Sequence, residues 1–123
     1  MPPRDLVERT RLFALAVVQF CRTLPRTDEA QETSGHLRRA ANATRSNYRA
    51  SRRGRSRAEF QSKLQIAFEE ADECEDCLEF LRDARIATDP ALLQEAHEIA
   101  CILGAAVKTA RENTARQKNV PNG

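Results

Sequence analysis

Between residues 57 and 85 apolar side chains recur every three or four positions: Phe60, Leu64, Ala67, Ala71, Cys74, Leu78 and Leu81. An α-helix turns through roughly 100° per residue, so this spacing gathers all seven on one stripe. A strand would instead alternate its faces every second residue. A helical stripe sustained over about six turns must be covered by another element, because most of a helix's stability in water comes from packing its apolar face. The segment also starts with a capping signal, Ser56-Arg57-Ala58-Glu59. There serine and glutamate are each expected to satisfy a backbone N–H of the other.

Three more segments offer matching stripes. Residues 5–24 place Leu6, Phe13, Val17, Phe20 and Leu24 on one side, with Pro25 as the stop. Residues 29–53 carry Leu37, Ala40, Ala41, Thr44, Asn47, Tyr48 and Ser51 inward. These are mostly small, so a neighbouring helix can come close. Thr27 or Asp28 caps its start, Gly35 weakens its first turns, and Gly54 marks its end. Residues 90–115 bring Leu92, Ala96, Ile99, Leu103, Ala106 and Ala110, opened by Asp89-Pro90. Residues 117–123 read as a polar, frayed tail. The 123 residues fit one domain. Four amphipathic helices with short connections predict an all-α, up-down-up-down four-helix bundle over residues 1–116. Four glycines, one tyrosine and no tryptophan agree with helix over sheet.

Charge is where function enters. The net charge is only +2, but it is segregated. From Glu32 to Glu59 no acid intervenes, while Arg38, Arg39, Arg45, Arg49, Arg52, Arg53, Arg55 and Arg57 do. On a helical wheel Arg38, Arg45, Arg49 and Arg52 fall within about 60° of one another, away from the apolar stripe. Guanidinium is permanently charged and its planar fork matches phosphate. The ridge is therefore expected to contact RNA or DNA backbone, with little base reading. The alternative is a solvated face, or one used in assembly. Glu69, Asp72, Asp76, Glu79 and Asp83 form an acidic face opposite the stripe of the third helix. Such a face suits the arginines of a neighbouring subunit.

Other chemistry lacks support in the sequence. Cys74-Glu75-Asp76-Cys77 is a lone CxxC in mid-helix among acids, so Cys74 reads as core and Cys77 as its flank. A di-iron bundle needs Glu-x-x-His, and the residue three before His97 is Gln94. Neither His36 nor His97 belongs to a visible catalytic pattern, so no enzyme activity, metal or cofactor is expected. Asn47 is expected to bond a neighbouring helix or Glu70 and so fix register. No apolar run approaches the roughly 20 residues of a membrane span, and MPPRDLVERTR lacks a signal peptide's apolar stretch. A cytoplasmic protein with reduced thiols is the expectation.

Leu37-Arg38-Arg39-Ala40-Ala41, then Asn47, then Arg53 through Phe60, Leu64, Ile66-Ala67 and Glu69-Glu70-Ala71-Asp72-Glu73 resemble a known pattern. It is that of the small four-helix-bundle family of ribosomal RNA intervening-sequence proteins, which includes the accessory variability (Avd-like) proteins of diversity-generating retroelements. Thr44, Ala50-Ser51 and Cys77 depart from the usual residues. The resemblance implies a ring-like homopentamer. In the retroelement branch it further implies a basic surface that binds nucleic acid and a reverse transcriptase.

Overall fold

A computed structural model describes residues 5–118. Four helices follow one another: α1 (Leu6–Cys21), α2 (Asp28–Ser51), α3 (Arg57–Asp83) and α4 (Pro90–Lys118). Each packs on the next, and α4 returns to touch α1. The diagonal pairs α1/α3 and α2/α4 make no close approach. This is the four-helix bundle expected from the periodicity. The α2–α3 seam is the most extensive and the α1–α4 seam the thinnest.

The helix starts are set by side-chain caps. Asp5, Thr27, Ser56 and Asp89 accept from backbone N–H groups at Val7, Ala30, Glu59 and Leu92, at 3.0, 3.3, 3.1 and 3.1 Å. Each satisfies a donor that the first helical turn leaves free. Ser56 makes its half of the capping box. The carboxylate of Glu59 reaches 3.7 Å toward Arg55 instead of closing the other half.

Several boundaries differ from the sequence expectation. α1 ends at Cys21, and Thr23 and Leu24 fold back in a turn. The chain therefore leaves the helix before Pro25 can act. α2 runs through Gly35 without a break, because Thr27 starts it eight residues earlier. α4 continues to Lys118, so residues 117 and 118 are helical; the rest of the expected tail, 119–123, lies outside the described residues.

Gly54 does not end α2 by a left-handed turn. Its role is space: a Cβ there would lie 3.1 Å from the Phe60 backbone nitrogen and 3.3 Å from the Ser51 carbonyl oxygen. A left-handed residue instead closes α3, and it is Arg85, at φ 59°. The Ile86 N–H donates to Leu81 O and the Arg85 N–H to Arg82 O, both at 3.0 Å. This pairing caps a helix end, and glycine normally serves at the left-handed position.

The core joins the expected stripes: Phe13, Val17, Leu37, Ala40, Ala41, Leu64, Ala67, Ala71, Cys74, Leu81, Ile99 and Leu103 are all buried. Buried hydroxyls look after themselves. Thr10 donates to Leu6 O at 2.9 Å, Thr44 to Ala40 O at 2.8 Å and Ser51 to Tyr48 O at 2.6 Å, each within its own helix. Asn47 does the same. Its amide donates to Ala43 O at 2.9 Å, not to another helix or to Glu70, so it does not set register in the way expected.

A left-handed non-glycine residue costs on the order of 1–3 kcal/mol, partly offset by the extra unfolded-state freedom of glycine. Arg85→Gly is therefore expected to stabilise the bundle by about 0.5–1 kcal/mol, read as a higher urea midpoint at unchanged slope.

Candidate functional site

The arginine run maps to the outer side of α2 and the turn that follows. Arg38, Arg39, Arg49, Arg52, Arg53, Arg55 and Arg57 are exposed, and Arg45 is half-buried. Of the eight, only Arg55 reaches a carboxylate among the described residues, and its side chain is 91% exposed. The comparison within the chain is informative. Arg9, Arg11 and Arg82 each hold an acid at 3.1 Å or less. The unpaired state of the ridge follows from sequence, because no acid lies between Glu32 and Glu59. Among the described residues, only Glu59 of the α3 acids comes within 4.0 Å of a ridge arginine.

The helix pattern decides where these side chains go. Inward alanines hold α2 against its neighbours, leaving the remaining faces to long side chains whose stems lie along the surface. Arg38 and Arg45 flank a groove of about 330 Å³ between α1 and α2, whose floor is Ala14, Leu15 and Val18, with Arg11 and Asn42 at its rim. A second groove of about 340 Å³ continues it past Arg22, Arg26 and Arg38. Arg22 and Arg26 thus join the basic surface, and sequence reading missed them. Their signal was faint: one arginine capping the end of α1 and one in the connection that follows, brought beside Arg38 only by the α1–α2 packing. Arg39 stands apart, its guanidinium donating to His36 Nδ1 at 3.3 Å. The C-terminal end of α2 carries the partial negative charge of its free carbonyls, which favours Arg49 and Arg52 there.

The acidic side of α3 is also open. Glu69, Asp72 and Asp76 are exposed and Glu79 is half-buried, with Arg82 4.0 Å from Glu79. Glu70 is half-buried, and desolvation, then the charges of Glu73 and Glu69, raise its carboxyl above the usual range. Phe80 sits among these acids with 56% of its surface exposed.

The cysteines divide sharply. Cys21, Cys74 and Cys77 are buried and unpaired, and Cys101 is exposed. Burial pushes the Cys74 thiol up to about 12. Cys77 is likewise pushed up to about 12, by burial and then by Glu73 and Asp76. Both members of the CxxC are therefore inert core thiols, and Cys77 is inside rather than at the edge. Among the described residues no group of three or more His, Cys, Asp or Glu is arranged to hold a metal ion.

Two polar clusters depend on α4 and were not visible in sequence. Arg9 reaches from α1 to Glu95, with Nε to Oε2 at 2.8 Å and Nη2 to Oε1 at 2.6 Å, and also to Glu98 at 3.1 Å. It clasps the thin α1–α4 seam. The second cluster links Glu75 on α3 with His97 and Cys101 on α4. The sequence hint was the i, i+4 spacing of His97 and Cys101, which stacks them on one helix face.

Fold and surface together define a class: a small four-helix bundle with one basic and one acidic face. The chain belongs to the family of 23S rRNA-intervening sequence proteins, whose family model matches residues 4–105. It is also similar to the crystal structure of a protein of unknown function from the S23 ribosomal protein family of Bacteroides thetaiotaomicron VPI-5482. The two are 26% identical with a TM-score of 0.77, covering 85% of this chain and 99% of that one. No curated protein sequence matches. No helix among the described residues is long and apolar enough to cross a membrane.

The Arg9 clasp is testable through stability. Arg9→Ala removes the paired partner of Glu95 and is expected to cost about 1 kcal/mol at pH 7, between an exposed ion pair and a buried charge-assisted hydrogen bond. The Gln94 amide, then Arg9, hold the Glu98 carboxyl below its ordinary value. A depressed folded value means stability that is present above the unfolded value and lost as pH falls through the folded one. Wild type and variant should therefore converge as pH drops from about 4.5 downward, measured by urea unfolding across a pH series.

Proposed function

We propose that this protein binds nucleic acid through the arginine ridge of α2 and its following turn, as a non-enzymatic, self-assembling accessory protein of the cytoplasm. The observation that carries this reading is the lack of acid partners for seven of eight ridge arginines among the described residues, whereas Arg9, Arg11 and Arg82 elsewhere in the chain each hold an acid. Phosphates are the ligand chemistry that a row of unpaired, permanently charged forks suits. Arg22 and Arg26 extend the same surface. The reading places RNA or DNA backbone along α2, with affinity set by counterion release rather than by base identity. A reverse transcriptase is the protein partner that the retroelement resemblance suggests. Four unpaired thiols agree with a reducing compartment.

A specific observation favours a second reading, assembly. Leu15 is 47% exposed between Arg38 and Arg45, and Phe80 is 56% exposed beside Asp76, Glu79 and Asp83. One patch is apolar ringed with positive charge and the other apolar ringed with negative charge. Joined head to tail between copies, such unlike patches generate a ring where the rotation between copies closes, and an open filament where it does not. A homopentamer of that kind would consume part of the ridge.

One experiment addresses both readings: fluorescence anisotropy with structured RNA and duplex DNA across a salt series, with oligomer mass recorded on the same samples. The wild-type protein is expected to bind with a log–log salt slope steeper than about −3, at roughly 0.9 per phosphate contacted. Replacing Arg45, Arg49 and Arg52 together with Glu should abolish binding at unchanged helicity. Binding retained by that variant removes the ridge as the site. An intact oligomer that binds neither nucleic acid at low salt assigns the arginines to assembly.

A further inference from the structure

On the open seam between α3 and α4, three side chains form a relay that none of the grooves above includes. Cys101 Sγ lies 3.6 Å from His97 Nε2, and His97 Nδ1 lies 2.8 Å from Glu75 Oε2. The carboxylate can only accept, so Nδ1 carries the imidazole proton and donates it to Glu75. That leaves the Nε2 lone pair facing the thiol, which donates its S–H. The tautomer is thus set by the hydrogen bond at the far nitrogen. Two helices fix the arrangement. α4 stacks His97 and Cys101 one turn apart, and α3 supplies the half-buried Glu75, whose side chain is 21% exposed. Nucleophile, base and orienting carboxylate in series are what activates a thiol elsewhere in protein chemistry. Here the thiol stands on the surface, outside the grooves described above, so its reactant arrives from solution.

We propose that Cys101 is a modification site for low-molecular-weight disulfides, with His97 as its base and Glu75 as the positioning residue. The step balances without further reagents. His97 Nε2 takes the thiol proton, and the Cys101 sulfur attacks one sulfur of the incoming disulfide. The new S–S bond forms as the old one breaks. The departing thiolate then takes the proton back from His97 and leaves as a free thiol. The Cys101 sulfur is oxidised and the leaving sulfur reduced. The other three cysteines are buried, so no second thiol of the chain is exposed to resolve the adduct. The mixed disulfide therefore persists until an external thiol reverses it.

The buried cysteines supply an internal control. Native protein is treated with an aromatic disulfide that reports its released thiol by absorbance, and separately with oxidised glutathione followed by peptide mass analysis. One fast equivalent per chain is expected, mapping to Cys101, with the other three reacting only after denaturation. Cys101→Ser should remove the fast equivalent. His97→Ala should slow it at least about tenfold, and added imidazole should restore part of the rate, which a merely structural role for His97 would not allow. Glu75→Gln should slow the reaction less, and nitrogen NMR should show loss of the Nδ1-protonated tautomer. A rate unchanged in His97→Ala overturns the relay. A fast equivalent that maps to Cys77, or no fast equivalent at all, overturns the site.

Discussion

The approach of α2 to α3 governs this molecule. The two helices meet through Ala40, Ala41, Thr44 and Ser51 on one side and Ala67, Ala71 and Cys74 on the other, all buried. Small side chains let the backbones draw near along the whole seam, and a dense interior gains dispersion contact that a looser seam would forgo. The same seam has no charged link. Thr44 turns its hydroxyl back onto its own helix, and Cys74 Sγ lies 4.0 Å from it. Every larger core residue, from Val17 on α1 to Ile99 on α4, is placed relative to this central pair.

The outer helix α4 is held differently. It packs Leu92, Ile99 and Leu103 inward, and it also carries polar ties to both of its neighbours. Arg9 grips Glu95 and Glu98, Glu75 meets His97, Gln61 donates to the Ala110 carbonyl oxygen and Thr114, and Arg111 donates to Gln65. The division has a physical logic. Where α2 and α3 meet along small side chains, shape alone defines their fit. At both seams of α4 directional bonds add to the packing and define which residues face each other.

Much of the fold was legible because burial has the period of the helix. The α3 stripe, Ser56, Asp89 and the small face of α2 each announce themselves locally. What escaped depends on how one helix sits against another. Nothing in the sequence sets Glu75 beside His97, or Arg22 beside Arg38, until α3 meets α4 and α1 meets α2. Asn47 misled for the opposite reason. An inward amide looks as though it needs a distant partner, yet a carbonyl four residues back was within reach. The close of α3 was hidden too, since arginine at position 85 gives no hint of a left-handed turn. The ridge itself was legible, because an acid-free run needs no tertiary knowledge to remain unpaired within its own helix.

The thin seam closed by Arg9 also orders events in time. α2 and α3 are joined by a short turn and can zip together almost locally. The clasp from Arg9 to Glu95 must instead bring together residues 86 positions apart. Chain-closure entropy grows with that separation, so the hairpin is favoured to form early and α1 to dock on α4 late. On the return path the last contact made is the first released. α1 is then the segment that lifts from an otherwise intact three-helix remainder, and native-state hydrogen exchange should find its amides opening below the free energy of global unfolding.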